Sequence, residues 1–182
     1  MGREALINNM KIKKEYISVV LFMILLLVLT LRSSSVIGVT ASNIERDARV
    51  SQKIEDTWSV SKSVNKNIAA MLFYNDNRDK YIFSVYLNHP GFSLGYFFRT
   101  GGTISGIEDG VSKFEYDKNG AVLISMNTKE IDKIELYNGI NTKIISIDST
   151  KPFAQVIPSN SGEITLYDVN GVEVSINELI KD

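Results

Sequence analysis

Residues 16–31, YISVVLFMILLLVLTL, constrain the chain more than any other stretch. The run carries no charge, Gly or Pro, and twelve of its sixteen residues are Leu, Ile, Val or Phe. Near a bilayer centre those residues contribute roughly −0.3 to −0.6 kcal/mol each, about −4 to −7 kcal/mol together. Ahead of the run, in residues 1–15, Arg3, Lys11, Lys13 and Lys14 outnumber Glu4 and Glu15. A basic leader of this kind holds the N-terminus in the cytoplasm and sends the downstream chain outward. The reading is a single-pass cell-membrane protein with its N-terminus cytoplasmic and its C-terminal domain extracytoplasmic.

At 1.5 Å per residue the run reaches roughly 24 Å, short of a hydrocarbon core of about 30 Å. Continuation through Val36, Ile37 and Val39, with Arg32 snorkelling to the headgroups, extends the anchor over residues 16–40. The alternative is a cleaved signal, with Val39-Thr40-Ala41 as the small-residue site and Ser42 as the mature N-terminus. Arg32 and three serines stand between the apolar core and that site, which favours the uncleaved anchor.

The remainder is long enough for one domain with its own core. The formal net charge is −1, and no basic stripe appears, so nucleic acid is excluded as a partner. The absence of Cys removes disulfides, thiolate catalysis, zinc ribbons, iron–sulfur ligation and lipid acylation. His89, the single histidine, sits in the turn sequence Asn88-His89-Pro90-Gly91 and has no second histidine to form a metal site or triad with.

Glycine and proline are unevenly spread. No Gly falls between Gly38 and Gly91, while all three prolines and ten of the twelve glycines lie from position 90 onward. Because these residues punctuate turns, the asymmetry predicts a helical first half and a β-rich second half. Over residues 41–74, Ile44, Ala48, Ile54, Trp58, Ile68 and Leu72 recur at spacings compatible with one helical face, with Glu45, Arg46, Arg49, Lys53, Lys62 and Lys66 opposite. Ser42 or Asn43 is the expected cap.

From residue 75 to 182 the period becomes that of strands. Lys80–Leu87 and Leu94–Thr100 are rich in aromatic and β-branched residues. Val111–Tyr116 with Ala121–Met126, Ile131–Tyr137 with Thr142–Ile147, and Glu163–Tyr167 with Val172–Ile176 each flank an Asn-Gly pair, the strongest short hairpin signal. Asn177 is the expected cap of a final short helix, Glu178–Lys181. The recurrence of Tyr116-Asp117-Lys118-Asn119-Gly120 as Tyr167-Asp168-Val169-Asn170-Gly171 reads as two turns under one backbone demand, not as a repeat. The fold class expected is thus α+β: an N-terminal transmembrane helix, then an amphipathic helix packed on a small antiparallel sheet.

No constellation specifies a chemistry. Asn75-Asp76-Asn77-Arg78-Asp79 opens like a calcium loop, but Lys80 stands where Gly is needed and Tyr86 where a bidentate Glu belongs. Glu108-Asp109 and Glu115 with Asp117 are paired acids of loop type, and Gly101-Gly102-Thr103-Ile104-Ser105-Gly106 lacks the Lys of a phosphate loop. The aromatics Phe73, Tyr74, Tyr81, Phe83, Tyr86, Tyr96, Phe97 and Phe98 read first as sheet core and second as a glycan or peptide platform. No catalytic, cofactor-binding or metal-binding residue is assigned, and no cofactor is expected.

The order of parts, with Ser93-Leu94-Gly95-Tyr96-Phe97-Phe98-Arg99, the stretch Ile107 to Gly120 and Ile131-Asp132-Lys133-Ile134-Glu135-Leu136, resembles the type IV pilin-like proteins, including minor pseudopilins. The likeness covers roughly residues 16–137. It departs at the peptidase site, where Glu15 and Val20 replace the family's Gly and Glu. The resemblance implies a helical spine and association with other subunits. Together these readings make the chain a non-enzymatic cell-envelope assembly or interaction subunit. Its partners would be the membrane and other membrane-anchored envelope proteins. The alternative is an anchored or secreted β domain that binds a glycan or peptide.

Overall fold

The computed structural model describes residues 16–30, 38–88 and 95–181. The basic leader, Arg32 and the His89 turn lie outside these residues. The contacts of the chain divide it into two compact units, Met1–Gly38 and Val39–Asp182.

In the first unit, residues 16–30 form one helix, α1, with its large apolar side chains exposed. Its length is about 22 Å against a hydrocarbon core of about 30 Å. Among the described residues no helix is long and apolar enough to cross a membrane. The transmembrane helix, the single-pass anchor and the cell-membrane localisation inferred from the apolar run are therefore corrected: the run is apolar enough in composition, but the described helix, residues 16–30, is too short.

The second unit is mostly β. The long amphipathic helix expected over residues 41–74 is a nine-residue helix, α2 (Ile44–Gln52), followed by two strands. It ends without Gly or Pro because Lys53 adopts the left-handed conformation at φ 56° and returns its N–H to Arg49 and Val50. Ile54 then donates its N–H to the Arg49 carbonyl at 2.9 Å and is buried beside the helix. Asn43 stands at the N-terminus but caps nothing with its side chain; it donates to Thr40 Oγ1 at 3.0 Å.

Among the described residues, three four-stranded sheets come next. Sheet I is an antiparallel meander of β1 (Ser59–Val64), β2 (Ile68–Tyr74), β3 (Tyr81–Asn88) and β4 (Tyr96–Gly102). β5 (Val111–Tyr116), β6 (Gly120–Ser125), β9 (Phe153–Pro158) and β12 (Ile176–Lys181) make sheet II, in the order β12-β5-β6-β9. Sheet III is β7 (Ile131–Tyr137), β8 (Thr142–Ser146), β10 (Glu163–Asp168) and β11 (Glu173–Val174), ordered β11-β10-β7-β8. β12 lies parallel to β5, so the expected C-terminal helix is a strand.

The alternation of side chains across each strand fixes the layering. Ile68, Ala70 and Leu72 of β2 join Phe83 and Val85 against Phe114, Val122, Ile124 and Val156 of sheet II. Phe83 and Phe114 stack across that interface with centroids 5.1 Å apart. The intervening residues of β2, Ala69, Met71 and Phe73, face Ile44 and Ala48 of α2. On the other side of sheet II, Ala121, Leu123 and Ile157 pack on Ile131, Ile134, Leu136 and Leu166 of sheet III. The order of layers is α2, sheet I, sheet II, sheet III. Sheets I and II are covered on both faces; among the described residues of this unit, sheet III has one open face. The α+β expectation is corrected accordingly: the unit is a stack of three sheets carrying one short helix.

Polar contacts sew the layers together. Tyr86 Oη donates to Asp47 at 2.8 Å, and Gln52 donates to the buried Ser84 Oγ, which seats α2 on sheet I. Where β1 meets β9, Ser61 Oγ accepts the Ala154 N–H at 3.2 Å and Ser63 Oγ the Val156 N–H at 3.1 Å. Two serine hydroxyls thus cover the open edge of β9.

Candidate binding groove

Most residues singled out in the sequence serve the fold. Phe73, Tyr81, Phe83, Tyr86 and Tyr96 are buried, so the expected aromatic platform is largely core. Asn75–Asp79 forms the β2–β3 turn: Asn75 Nδ2 donates to Asp79 at 2.6 Å and its Oδ1 accepts the Lys80 N–H at 3.2 Å. The glycine-rich stretch, whose first two glycines close β4, leads into a loop plugged by fully buried Ile107, whose carbonyl accepts the Met126 N–H at 2.8 Å. Tyr81 Oη donates to Glu108 and to the Ile104 carbonyl on the same loop. Burial, then the Glu108 carboxylate, pushes the Tyr81 hydroxyl up to about 12. Glu115 is held by Lys113 at 2.6 Å. Among the described residues no three His, Cys, Asp or Glu stand together as a metal site.

A different set of residues frames an open groove of about 310 Å³: Glu55, Thr57 and Trp58 before β1, with Asn75, Asp76, Asn77 and Lys80 from the β2–β3 turn. Its position derives from α2. The cap at Lys53 reverses the chain, and the returning segment is fastened by a single side chain. Arg49 Nη1 donates to the Glu55 carbonyl at 2.8 Å and Nη2 to the Trp58 carbonyl at 3.0 Å. The guanidinium lies 4.9 Å from the centre of the Phe73 ring and the Arg49 side chain is 14% exposed; both bonds are charge-assisted, the one to Trp58 part-buried and the one to Glu55 exposed. Glu45 holds Arg49 at 3.3 Å and Lys62 of β1 at 3.0 Å. The Lys62 hydrogen bond lowers the Glu45 carboxyl below its ordinary range against the opposing effect of burial, and Arg49 adds to the lowering.

The groove has an aromatic wall, the half-buried Trp58 packed against the cluster under α2, and an exposed polar wall, Asp76, Asn77 and Lys80. Two other hollows differ in kind. One of about 420 Å³ beside Ser159–Gly162 has no aromatic wall, and its Lys113 and Glu115 neutralise each other. Another of about 300 Å³ between β1 and residues 146–155 has Tyr74 on its lining but places Asp148 and Lys151 in a mutual pair at 2.8 Å. The sequence signal for the Trp58 groove is modest: the chain's single tryptophan, set among Thr57, Ser59 and Ser61. Helical spacing assigns it to a packing stripe instead.

No family model, curated protein or solved structure matches this chain.

Proposed function

We propose that this chain is a non-enzymatic β domain that recognises a neutral, hydroxyl-rich glycan in the groove beside Trp58. The observation that carries the reading is the pairing of a half-buried indole, packed against the cluster under α2 on a backbone held by Arg49, with a polar wall of both charge signs. A sugar ring offers an apolar C–H face that packs on an aromatic surface, and hydroxyls that both donate and accept. Glu55 and Asp76 supply acceptors, Lys80 donors, and Asn77 and Thr57 both. Mixed signs select against a strongly charged ligand. Anchoring by Arg49 means that little loop entropy is lost on binding. The assembly reading that rested on one helical face is not carried forward, because Ile54, Trp58, Ile68 and Leu72 lie on a loop and a strand, not on one helix.

The single tryptophan makes the test direct. Titration of the full chain with a panel of neutral oligosaccharides should shift Trp58 emission in a saturable way for at least one structural class. Trp58→Ala and Asn77→Ala should each weaken binding measured by calorimetry, by about tenfold or more for the former. Saturable binding that leaves Trp58 emission unchanged contradicts the reading. Release of new reducing ends, abolished by Glu55→Gln, contradicts its non-enzymatic part.

A further inference from the structure

The sheets end in edges that are managed differently. β1 meets β9 through the serine hydroxyls, β11 has only two residues, and the β3–β4 ladder slips between Val85 and Tyr86. β8 has none of these devices. It pairs with β7 in an uninterrupted register from Lys133↔Ser146 to Tyr137↔Thr142, contains no proline, and has no strand on its other side among the described residues. Straight, open edges of this kind are templates for a further strand.

The hydrogen-bond parity of β8 is fixed at both ends of the hairpin. Ile147 donates its N–H to the Asp132 carbonyl at 2.8 Å, and Asn138 to the Asn141 carbonyl at 3.3 Å. Antiparallel ladders alternate bonded and non-bonded pairs. Between those ends the bonded pairs are therefore Ile134–Ile145 and Leu136–Lys143. Thr142, Ile144 and Ser146 turn their N–H and C=O groups away from β7, and all three are exposed, Ile144 by 57%.

We propose that β8 pairs antiparallel with β8 of a second copy of this chain, about a two-fold axis at Ile144, joining two copies of sheet III into one continuous sheet. The strand Thr-Lys-Ile-Ile-Ser is chemically self-complementary in this register. Ile144 meets the partner's Ile144, Thr142 meets the partner's Ser146, and Lys143 meets the partner's Ile145. The exposed polar groups of the three outward residues form about six backbone hydrogen bonds. β-Branched and hydroxyl cross-strand pairs are favourable, and Lys143, the only charge on β8, opposes no like charge. The contact is isologous and closed, so it stops at the dimer. Its area is that of one strand pairing, so the dimer is concentration-dependent.

Analytical ultracentrifugation of the full chain over a concentration series tests this. Ile144→Lys, which places two ammonium groups face to face, should weaken dimerisation by about tenfold or more. Val172→Lys, equally exposed on the far side of sheet III, should leave it unchanged. Because the chain has no Cys, Ile144→Cys with a short bismaleimide should give a cross-linked dimer where Val172→Cys does not; this second readout holds even if Ile144→Lys misfolds. A strictly monomeric chain, or self-association indifferent to Ile144→Lys and lacking the Ile144→Cys cross-link, overturns the proposal. Neither readout depends on Trp58.

Discussion

Sheets II and III differ chiefly in the number of faces they bury, and their sequences record it. β6 reads Gly-Ala-Val-Leu-Ile-Ser, apolar without interruption from Ala121 to Ile124, because Val122 and Ile124 meet sheet I while Ala121 and Leu123 meet sheet III. β7 reads Ile-Asp-Lys-Ile-Glu-Leu-Tyr, with Ile131, Ile134 and Leu136 turned inward. Its Lys133 and Glu135 instead pair with each other at 2.8 Å, and Lys133 lies 4.3 Å from the Tyr167 ring centre. Where β6 is covered on both faces it gives up surface polarity for burial, while β5 of the same sheet keeps its Lys113–Glu115 pair; an outer layer keeps half of its side chains for solvent or partners.

The largest expected contrast lies in truncation. Leu123→Ala in the middle layer should cost about 3 kcal/mol by the transfer and cavity contributions, measured by denaturant unfolding. Ile144→Ala on the outer layer should cost less than about 0.5 kcal/mol, measured at a concentration where the chain is monomeric. Equal costs would mean that Leu123 is not enclosed by two sheets.

Next in size are the turns, three of which carry Asn-Gly. Gly120 enters β6 at φ 117°, and a Cβ there would lie 2.2 Å from the Ile157 carbonyl oxygen of the neighbouring strand. Gly171 has φ 77° but open space around it. Gly120→Ala should therefore cost about 2 kcal/mol more than Gly171→Ala, whose cost is backbone strain alone, about 1 kcal/mol. Similar thermal shifts for the two would break the distinction between a turn locked inside sheet II and a turn at the rim of sheet III.

Smaller effects appear with pH, and they belong to sheet I and the helix on it. The Tyr86 hydroxyl is raised by burial and then by Asp47, and Tyr81 is raised to about 12 by burial and then by Glu108. A raised pKa gives stability that is intact below the ordinary tyrosine value of about 10 and is lost as pH climbs through the raised value. Glu45 has the opposite sign: lowered by Lys62 and Arg49, it contributes above about 4.5 and loses that contribution as pH falls below. The melting temperature should thus decline at both extremes. Tyr86→Phe should blunt only the alkaline limb, and Glu45→Gln only the acid one.

The β5–β6 and β7–β8 hairpins lie where the sequence places them because Gly120 and Gly139 each take a positive φ at the turn, although the asparagines before them do not. The third expected hairpin is cut to the two-residue β11, and Ile176 leaves it to begin β12 in sheet II. β2 is not legible. Ile-Ala-Ala-Met-Leu-Phe-Tyr is apolar on every position, and a strand buried on both faces cannot be told from a buried helix by periodicity. Ile68 and Leu72, four residues apart, satisfy a helical face and a strand face equally. α2 is legible at its start but not at its end, since Lys53 takes a left-handed cap that glycine usually marks. The Trp58 groove is hidden for the same reason. It exists only because α2 stops at Gln52 and Arg49 catches the returning chain.

Sheet II is the twice-covered middle layer on which the whole stack depends, and native-state hydrogen exchange of the full chain tests that most directly. The amides of Val122, Leu123 and Ile124 should exchange only through global unfolding, tracking the full unfolding free energy with denaturant, while those of Glu163, Ile164 and Thr165 in β10 open at lower free energy. Protection in β6 no greater than in β10 would contradict the layering and the fold built on it.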